Sequence, residues 1–208
     1  MRTPHSKHAG LYDRCRVLLA GIAGIAVAGC STSPPTHFYA LAPTASPTTS
    51  GAFEKERPVI VAIGPVEVSA YLDRSQIVLR EGQTRLKLAD FDQWGEPLGR
   101  NIARVIAENL YGLNPRVHPI VQPWSDLPSE YKVAVKILHF DSDPQGRVRL
   151  RASWAVIDGG SHRYLTIRDS DISVTAHGTD FADIALAMSE ALGHLSEEIS
   201  QALAQSSK

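Results

Sequence analysis

Two stretches of the chain, Tyr131–Phe140 and Arg147–Ile157, alternate apolar and polar residues and are separated only by Asp141-Ser142-Asp143-Pro144-Gln145-Gly146. Successive side chains of a strand point to opposite faces, so a period of two reads as two half-buried strands joined by a polar turn. Val133, Val135 and Ile137 on the first strand and Val148, Leu150, Ala152 and Trp154 on the second form one apolar face. Lys132, Lys136, Arg147, Arg149 and Arg151 form the other. Burying that many cations without partners is prohibitive, so the sheet has one covered face and one wet face. The rest of the chain must supply an amphipathic cover. If Phe140 pairs with Arg147, Lys136 stands opposite Arg151, an unfavourable like-charge pair. A third strand, about 163–175, offers Asp169 and Asp171 to Arg151 and Arg149. In that register Leu165 and Ile167 point away from the core, which predicts a bulge or slip.

The cover is legible as two helices. From Pro97 to Leu113, the residues Leu98, Ile102, Val105, Ile106, Asn109, Leu110 and Leu113 fall at helical spacing, with proline in the first turn and Asn114-Pro115 as the stop. From Asp180 to Gln205, a longer stripe of Phe181, Ile184, Ala185, Met188, Leu192, Leu195, Ile199 and Leu203 is capped by Thr179 or Asp180. Pro58–Ile63 is a continuous β-branched run, as in a buried strand, which Gly64-Pro65 breaks before Val66-Glu67-Val68 resumes it. Gln76–Arg80 and Thr84–Leu88 flank Glu81-Gly82-Gln83 as a β-hairpin. A strand near 116–121 precedes a proline-rich loop at Pro123-Trp124. The expected class is α/β (α+β): a mixed, mainly antiparallel sheet with two long amphipathic helices packed on it, in a single layered domain.

The first thirty residues are a different material. Arg2, Lys7, Arg14 and Arg16 precede the apolar run Val17–Ala28, and Gly29-Cys30 follows it. This is the layout of a secretory signal. As a helix the run rises about 18 Å, short of the hydrocarbon core of about 30 Å, so it reads as a leader rather than a permanent span. Cys15 and Cys30 are the only cysteines among 208 residues. The body therefore has no disulfide and no thiolate metal site. Removing residues 1–29 takes four basic residues and Asp13 and moves the formal net charge from −1 to −4. That balance argues against a nucleic-acid binder and gives no bulk attraction to anionic lipid.

Ser31–Pro35 and Pro43–Gly51 are rich in Ser, Thr and Pro and read as extended, poorly packed linker. His37-Phe38-Tyr39-Ala40-Leu41 between them is too apolar for a linker and reads as a short first strand. The organisation is a leader at 1–29, a stalk at 30–56 with a strand at 37–41, and a globular domain at 57–205.

Catalytic constellations are absent: the body has no cysteine nucleophile, no G-x-S-x-G, no H-E-x-x-H and no glycine-rich phosphate loop. His139-Phe140-Asp141-Ser142-Asp143 is the one compact set of possible ligands, and Asp141, Asp143 and Gly146 echo the start of a calcium loop. The echo fails at Gln145 and at Ala152, where a third oxygen ligand and a bidentate Glu belong, so a polar hairpin turn is the better reading. His37, His118, His162, His177 and His194 have no ligand spacing. No metal or catalytic residue is assigned.

Val27-Ala28-Gly29-Cys30 resembles the bacterial lipobox. That resemblance implies that Val27, Ala28 and Gly29 are recognised by the lipoprotein signal peptidase, and that Cys30 is the lipid-attachment residue. Cys30 would carry an N-acyl diacylglycerol group with palmitate-type chains; no other cofactor is implied. Several acyl chains anchor a protein stably where one does not. Ser31 stands where Asp would retain an enterobacterial lipoprotein at the inner membrane, which implies the outer membrane.

Four further pieces carry a wider resemblance: His37-Phe38-Tyr39-Ala40-Leu41, Tyr71-Leu72-Asp73-Arg74-Ser75-Gln76-Ile77-Val78, Asp92-Gln93-Trp94-Gly95-Glu96-Pro97-Leu98, and the strands VAVKI and RVRLRASW. With the lipobox, and in this order, they resemble the ABC-type transport auxiliary lipoprotein family, in its PqiC-like branch from the paraquat-inducible system. The pattern departs at Ser75, where Pro is expected, and at Gly95, where Ala is commoner. The resemblance implies a non-enzymatic lipoprotein on the periplasmic face of the outer membrane. Its partners would be a membrane-spanning MCE-domain protein (PqiB-like) and an integral inner-membrane protein (PqiA-like), in lipid traffic and membrane integrity. A homo-oligomer is left open.

Tyr71, Leu72, Asp73, Arg74 and Trp94 combine aromatic and charged residues in loops, a composition found at interface hot spots, and are the candidate partner interface. The alternative reading makes Leu72 and Trp94 core and Asp73-Arg74 a local pair. A second function, a periplasmic lipid acceptor, requires an apolar pocket between helix and sheet. An enzyme would gather His139, Asp141 and Asp143 with another histidine.

Overall fold

The computed structural model describes residues 34–46, 57–122 and 128–206. The expected leader at 1–29 with Val27, Ala28 and Gly29, Cys30, residues 47–56 and the expected loop at Pro123-Trp124 lie outside the described residues.

Ten elements follow in order: β1 (His37–Tyr39), β2 (Val59–Val68), β3 (Gln76–Glu81), β4 (Arg85–Trp94), α1 (Leu98–Leu113), β5 (Val117–Val121), β6 (Tyr131–Ser142), β7 (Arg147–Asp158), β8 (Tyr164–Thr175) and α2 (Phe181–Ser206). They build one mixed sheet around β6. On one side β6 pairs antiparallel with β7, and β7 with β8. On the other it pairs parallel with β2 and, at its far end, with β3 through Ser142 and Leu79. β5 lies parallel outside β2, while β4 and then β1 lie outside β3. The longest ladders are antiparallel and two helices cover the apolar face, so the α+β reading holds.

The helix stripes face the sheet as their periodicity predicts. Ile102, Val105, Ile106 and Leu110 of α1 and Leu192, Leu195 and Ile199 of α2 are fully buried against Val133, Val135, Ile137, Leu150 and Trp154. Leu113, the last residue of α1, is exposed instead. Asp180 is the cap of α2, its Oδ1 accepting from the Asp183 N–H at 2.8 Å.

Local registers differ from the sequence reading in three places. Gly64-Pro65 does not end its strand: β2 runs through it, and the one extra residue is absorbed by a register shift against β6 between Ile63 and Val66. Gly64 takes a φ of +127°, which an L side chain rarely adopts. The β6–β7 hairpin is tighter than expected. Asp143 N–H donates to the Arg147 carbonyl and Gly146 N–H to that of Asp143, so Phe140 pairs with Leu150 rather than Arg147. A shift between Ile137 and His139 then sets Lys136 opposite Ser153 and Arg151 opposite His139, and no like charges face each other there. On β8 the expected bulge sits at Val156/Ile157 and turns Leu165 toward the core. Ile167 stays 70% exposed.

The largest departure is at residues 41–45, of which composition assigns 43–45 to linker. Leu41 is buried, and the chain after it straps across both helices. Arg104 of α1 donates to the Leu41 carbonyl at 2.9 Å. The Ala42 N–H donates to Ser189 Oγ of α2 at 3.1 Å. The Thr44 and Ala45 N–H groups both donate to Oδ1 of the buried Asn109, at 2.8 and 3.1 Å. Asn109 Nδ2 in turn donates to Ser196 Oγ at 3.3 Å. Composition misses the strap because it is held through backbone groups, which must be paired wherever they leave water.

Gly112 permits this approach: a Cβ built there would lie 2.8 Å from the Ala45 carbonyl oxygen and 2.9 Å from its Cβ. Gly112→Ala should therefore lower stability in urea unfolding by about 1–3 kcal/mol, the usual cost of overpacking. Helix propensity alone would raise it by about 1 kcal/mol, so the sign of the change reads out the strap.

Candidate functional site

The β2–β3 connection, residues 69–75, is folded back on itself. Ser69 Oγ donates to the carbonyls of Ile137 and Leu138 at 3.1 and 3.0 Å, and the Leu72 N–H donates to the Ser69 carbonyl at 2.8 Å. This turns Leu72 into the core, where it is 2% exposed. The Trp94 N–H donates to the Ser75 carbonyl at 2.7 Å, and the Gly95 N–H to the Tyr39 carbonyl at 2.8 Å. The end of β4 is thereby clamped between the loop and β1.

The five residues singled out from sequence divide accordingly. Leu72 and Trp94 are buried, and Trp94 is the last residue of β4 rather than a loop residue. Asp73 and Arg74 are exposed and meet one edge of Trp94 around a shallow depression of about 380 Å³, which Ser75, Gly95, Glu96 and Pro97 complete. Tyr71 turns the other way, to Asp141. Its hydroxyl donates to Asp141 Oδ2 at 2.5 Å, and Arg80 grips the same carboxylate through Nε–Oδ1 at 3.0 Å and Nη2–Oδ2 at 2.9 Å. The Arg80 guanidinium also lies 5.3 Å from the centre of the Tyr71 ring. Sequence reasoning placed Asp141 among ligand candidates and missed Arg80 altogether. Its alternation on a strand not yet registered against β6 carried no signal for the pairing.

Beyond Asp141 the open face of the sheet forms a broad groove of about 1140 Å³, in which His139, Asp141 and Asp143 are joined by Arg80, Arg147 and Arg149. The carboxylates are already engaged. Asp143 Oδ1 accepts from the Gln145 and Arg147 N–H groups at 2.9 and 3.0 Å and Oδ2 from Arg147 Nε at 2.7 Å, which makes it the turn residue expected of the hairpin. Arg149 binds Asp171 at 2.9 and 2.6 Å and holds that carboxyl below the usual range. Asp169, expected on Arg151, accepts instead from the Ser153 hydroxyl. Each of these carboxylates thus has a protein donor, and among the described residues no group of three His, Cys, Asp or Glu is placed to hold a metal.

A family model for the ABC-type transport auxiliary lipoprotein component matches residues 39–200, from β1 into α2. The chain belongs to that family. The matched span takes in the strap, the depression at Asp73–Pro97 and the Arg80–Asp141 pair. Two solved structures resemble this auxiliary lipoprotein, each over 82% of its chain and 99% of theirs. One is an uncharacterised protein at 14% identity and a TM-score of 0.68. The other is a Xanthomonas campestris protein of the DUF330 family model at 17% identity and a TM-score of 0.65. At these identities they establish the fold alone. No curated protein sequence matches the chain. Among the described residues no helix is long and apolar enough to cross a membrane.

The Tyr71–Asp141–Arg80 cluster pins the loop that presents Asp73 and Arg74. Asp141 is 4% exposed at its side chain, so Arg80→Met leaves a carboxylate in the interior without its cation. Breaking a buried pair from one side costs about 3–5 kcal/mol, which chemical unfolding should register. Burial and the bond to Asp141 push the Tyr71 hydroxyl from 10.0 up to about 12. A raised folded-state pKa means that stability present below about pH 10 is lost as pH rises toward 12. In alkaline unfolding, Tyr71→Phe should flatten that part of the profile.

Proposed function

We propose that this auxiliary lipoprotein is the non-catalytic docking subunit of an MCE-type, PqiABC-like intermembrane lipid transport system. Lipidated Cys30 tethers it to the periplasmic face of the outer membrane. The domain receives the distal end of a PqiB-like MCE protein, whose inner-membrane partner is PqiA-like, and so supports envelope integrity.

The observation that carries this reading is where the free surface lies. Asp73, Arg74 and an edge of Trp94 surround a shallow depression open to solvent, whereas the layer between helices and sheet is filled by fully buried Ile102, Ile106, Leu150, Leu192 and Ile199. A lipid acceptor needs apolar room in that layer; a docking subunit needs an outer surface with an aromatic base and charged rim. The packed layer favours docking over the alternative of a lipid-carrying acceptor.

Trp94 and Leu72 are unsuitable probes because truncating them opens the core. Asp73 and Arg74 are exposed and can be reversed without disturbing the fold. Asp73→Lys together with Arg74→Glu should leave thermal unfolding unchanged while co-purification with a co-expressed PqiB-like MCE protein falls at least about tenfold, as loss of one or two hot-spot contacts gives. Undiminished co-purification overturns the interface. Separately, radiolabelled palmitate fed to cells should mark the wild type and leave Cys30→Ala unlabelled; equal label in both refutes the lipid attachment.

A further inference from the structure

The margin of the sheet formed by β1 and β4 is unlike the rest of the open face. Phe38 of β1 is 68% exposed, and Leu86, Leu88 and Phe91 of β4 are exposed as well. The register sets Phe38 opposite Gln93 and Leu88 opposite Val78, while Gln93 itself pairs with Gln76, two residues before Val78 on β3. Phe38, Leu86 and Leu88 therefore share one face, and Phe91 is exposed on the irregular stretch of β4 between Leu88 and Gln93, where the register against β3 shifts. β1 pairs only with Asp92, Gln93 and Trp94, so the outer edge of β4 from Arg85 to Phe91 has no strand beside it among the described residues. Exposed large apolar side chains grouped along one margin mark a contact surface.

The chain itself says what lies against it. Phe38 is eight residues from Cys30, and an extended chain spans at most about 3.3–3.6 Å per residue, so Phe38 is held within about 30 Å of that residue. The described chain begins at Pro34, and the strap that follows β1 is fixed to α1 and α2 by Arg104, Asn109 and Ser189, so β1 cannot swing free of the domain. We propose that the β1–β4 margin, led by Phe38 and Phe91, seats the domain on the phospholipid bilayer to which Cys30 tethers it. This rests on the lipid attachment proposed above and deepens it: the lipid holds the chain at the bilayer and the margin fixes which way the domain faces. With β1 and β4 against the lipid, β8 at the opposite end of the path β1-β4-β3-β6-β7-β8 points away from it.

The test uses the full, processed protein carrying the palmitate label, reconstituted into vesicles of phosphatidylethanolamine and phosphatidylglycerol with brominated acyl chains. Phe38→Trp and Phe91→Trp place a fluorophore in the margin, Ile167→Trp places one on the exposed β8 edge, and the wild type supplies the baseline for the native tryptophans. An apolar side chain at the interface sits about 5–10 Å into the headgroup–acyl boundary, so the fluorescence added at 38 and 91 should fall by about half while that at 167 is unchanged. Labelled protein with no excess quenching at 38 and 91, or with equal quenching at 167, overturns the seat and leaves the anchor standing. Absence of the palmitate label removes the anchor and the seat together. A margin that belongs to a protein partner gives no quenching in vesicles holding this chain alone, which also overturns the proposal.

Discussion

β6 is paired along both edges, and every other element takes its position from that arrangement. Its antiparallel ladder to β7 commits one face of both strands to Val, Ile, Leu and Trp and the other to Lys, Arg, His and Asp. Once that is set, the helices can lie on one face only, because the opposite face carries cations that cannot leave water without partners. On its other edge β6 holds β2 at one end and β3 at the other, and the connection between those two strands is forced to fold in the interval. That interval is where Leu72 enters the core and where Asp73 and Arg74 are left at the surface. The candidate interface is a consequence of the split edge.

The second constraint is the pairing of backbone groups in the strap. Asn109 sits on the apolar stripe of α1 fully buried, and its amide oxygen takes two N–H groups while its nitrogen reaches Ser196 of α2. A leucine at that position would pack as well and leave the strap amides unpaired, at about 1–3 kcal/mol for each buried group. The strap also joins β1 to both helices.

The charged face shows how fully a crowd of polar groups can be paired within the protein. His139, Asp141, Asp143, Arg80, Arg147 and Arg149 crowd one groove, yet the carboxylates are held by arginines, turn amides or the Tyr71 hydroxyl. Arg80 with Asp141 and Arg149 with Asp171 are bidentate forks, which favour fixed geometry over proton exchange.

Much of the fold was legible because periodicity survives without knowledge of neighbours. The β6–β7 alternation, the stripes of α1 and α2, the β3–β4 hairpin and the strand at β5 depend on residues close in sequence. Registers were not legible. Whether Phe140 meets Arg147 or Leu150 depends on a turn tightened by Asp143, and whether β2 stops at Gly64-Pro65 depends on β6 lying beside it. The strap was hidden for a different reason: it is bound through main-chain N–H groups that every residue except proline possesses. Of the candidate site, the sequence marked one loop but could not sort its residues. Tyr71, Leu72, Asp73 and Arg74 are consecutive, and only tertiary contacts send the first to Asp141, bury the second and expose the last two. By itself the sequence determined a one-sided sheet with two covering helices and a single cysteine after residue 29, because these follow from local pattern and composition. The tertiary structure decided which loop residues face solvent, that residues 41–45 are held against the core, and that among the described residues one sheet margin stays apolar and uncovered. Those are set by contacts between residues far apart in the chain.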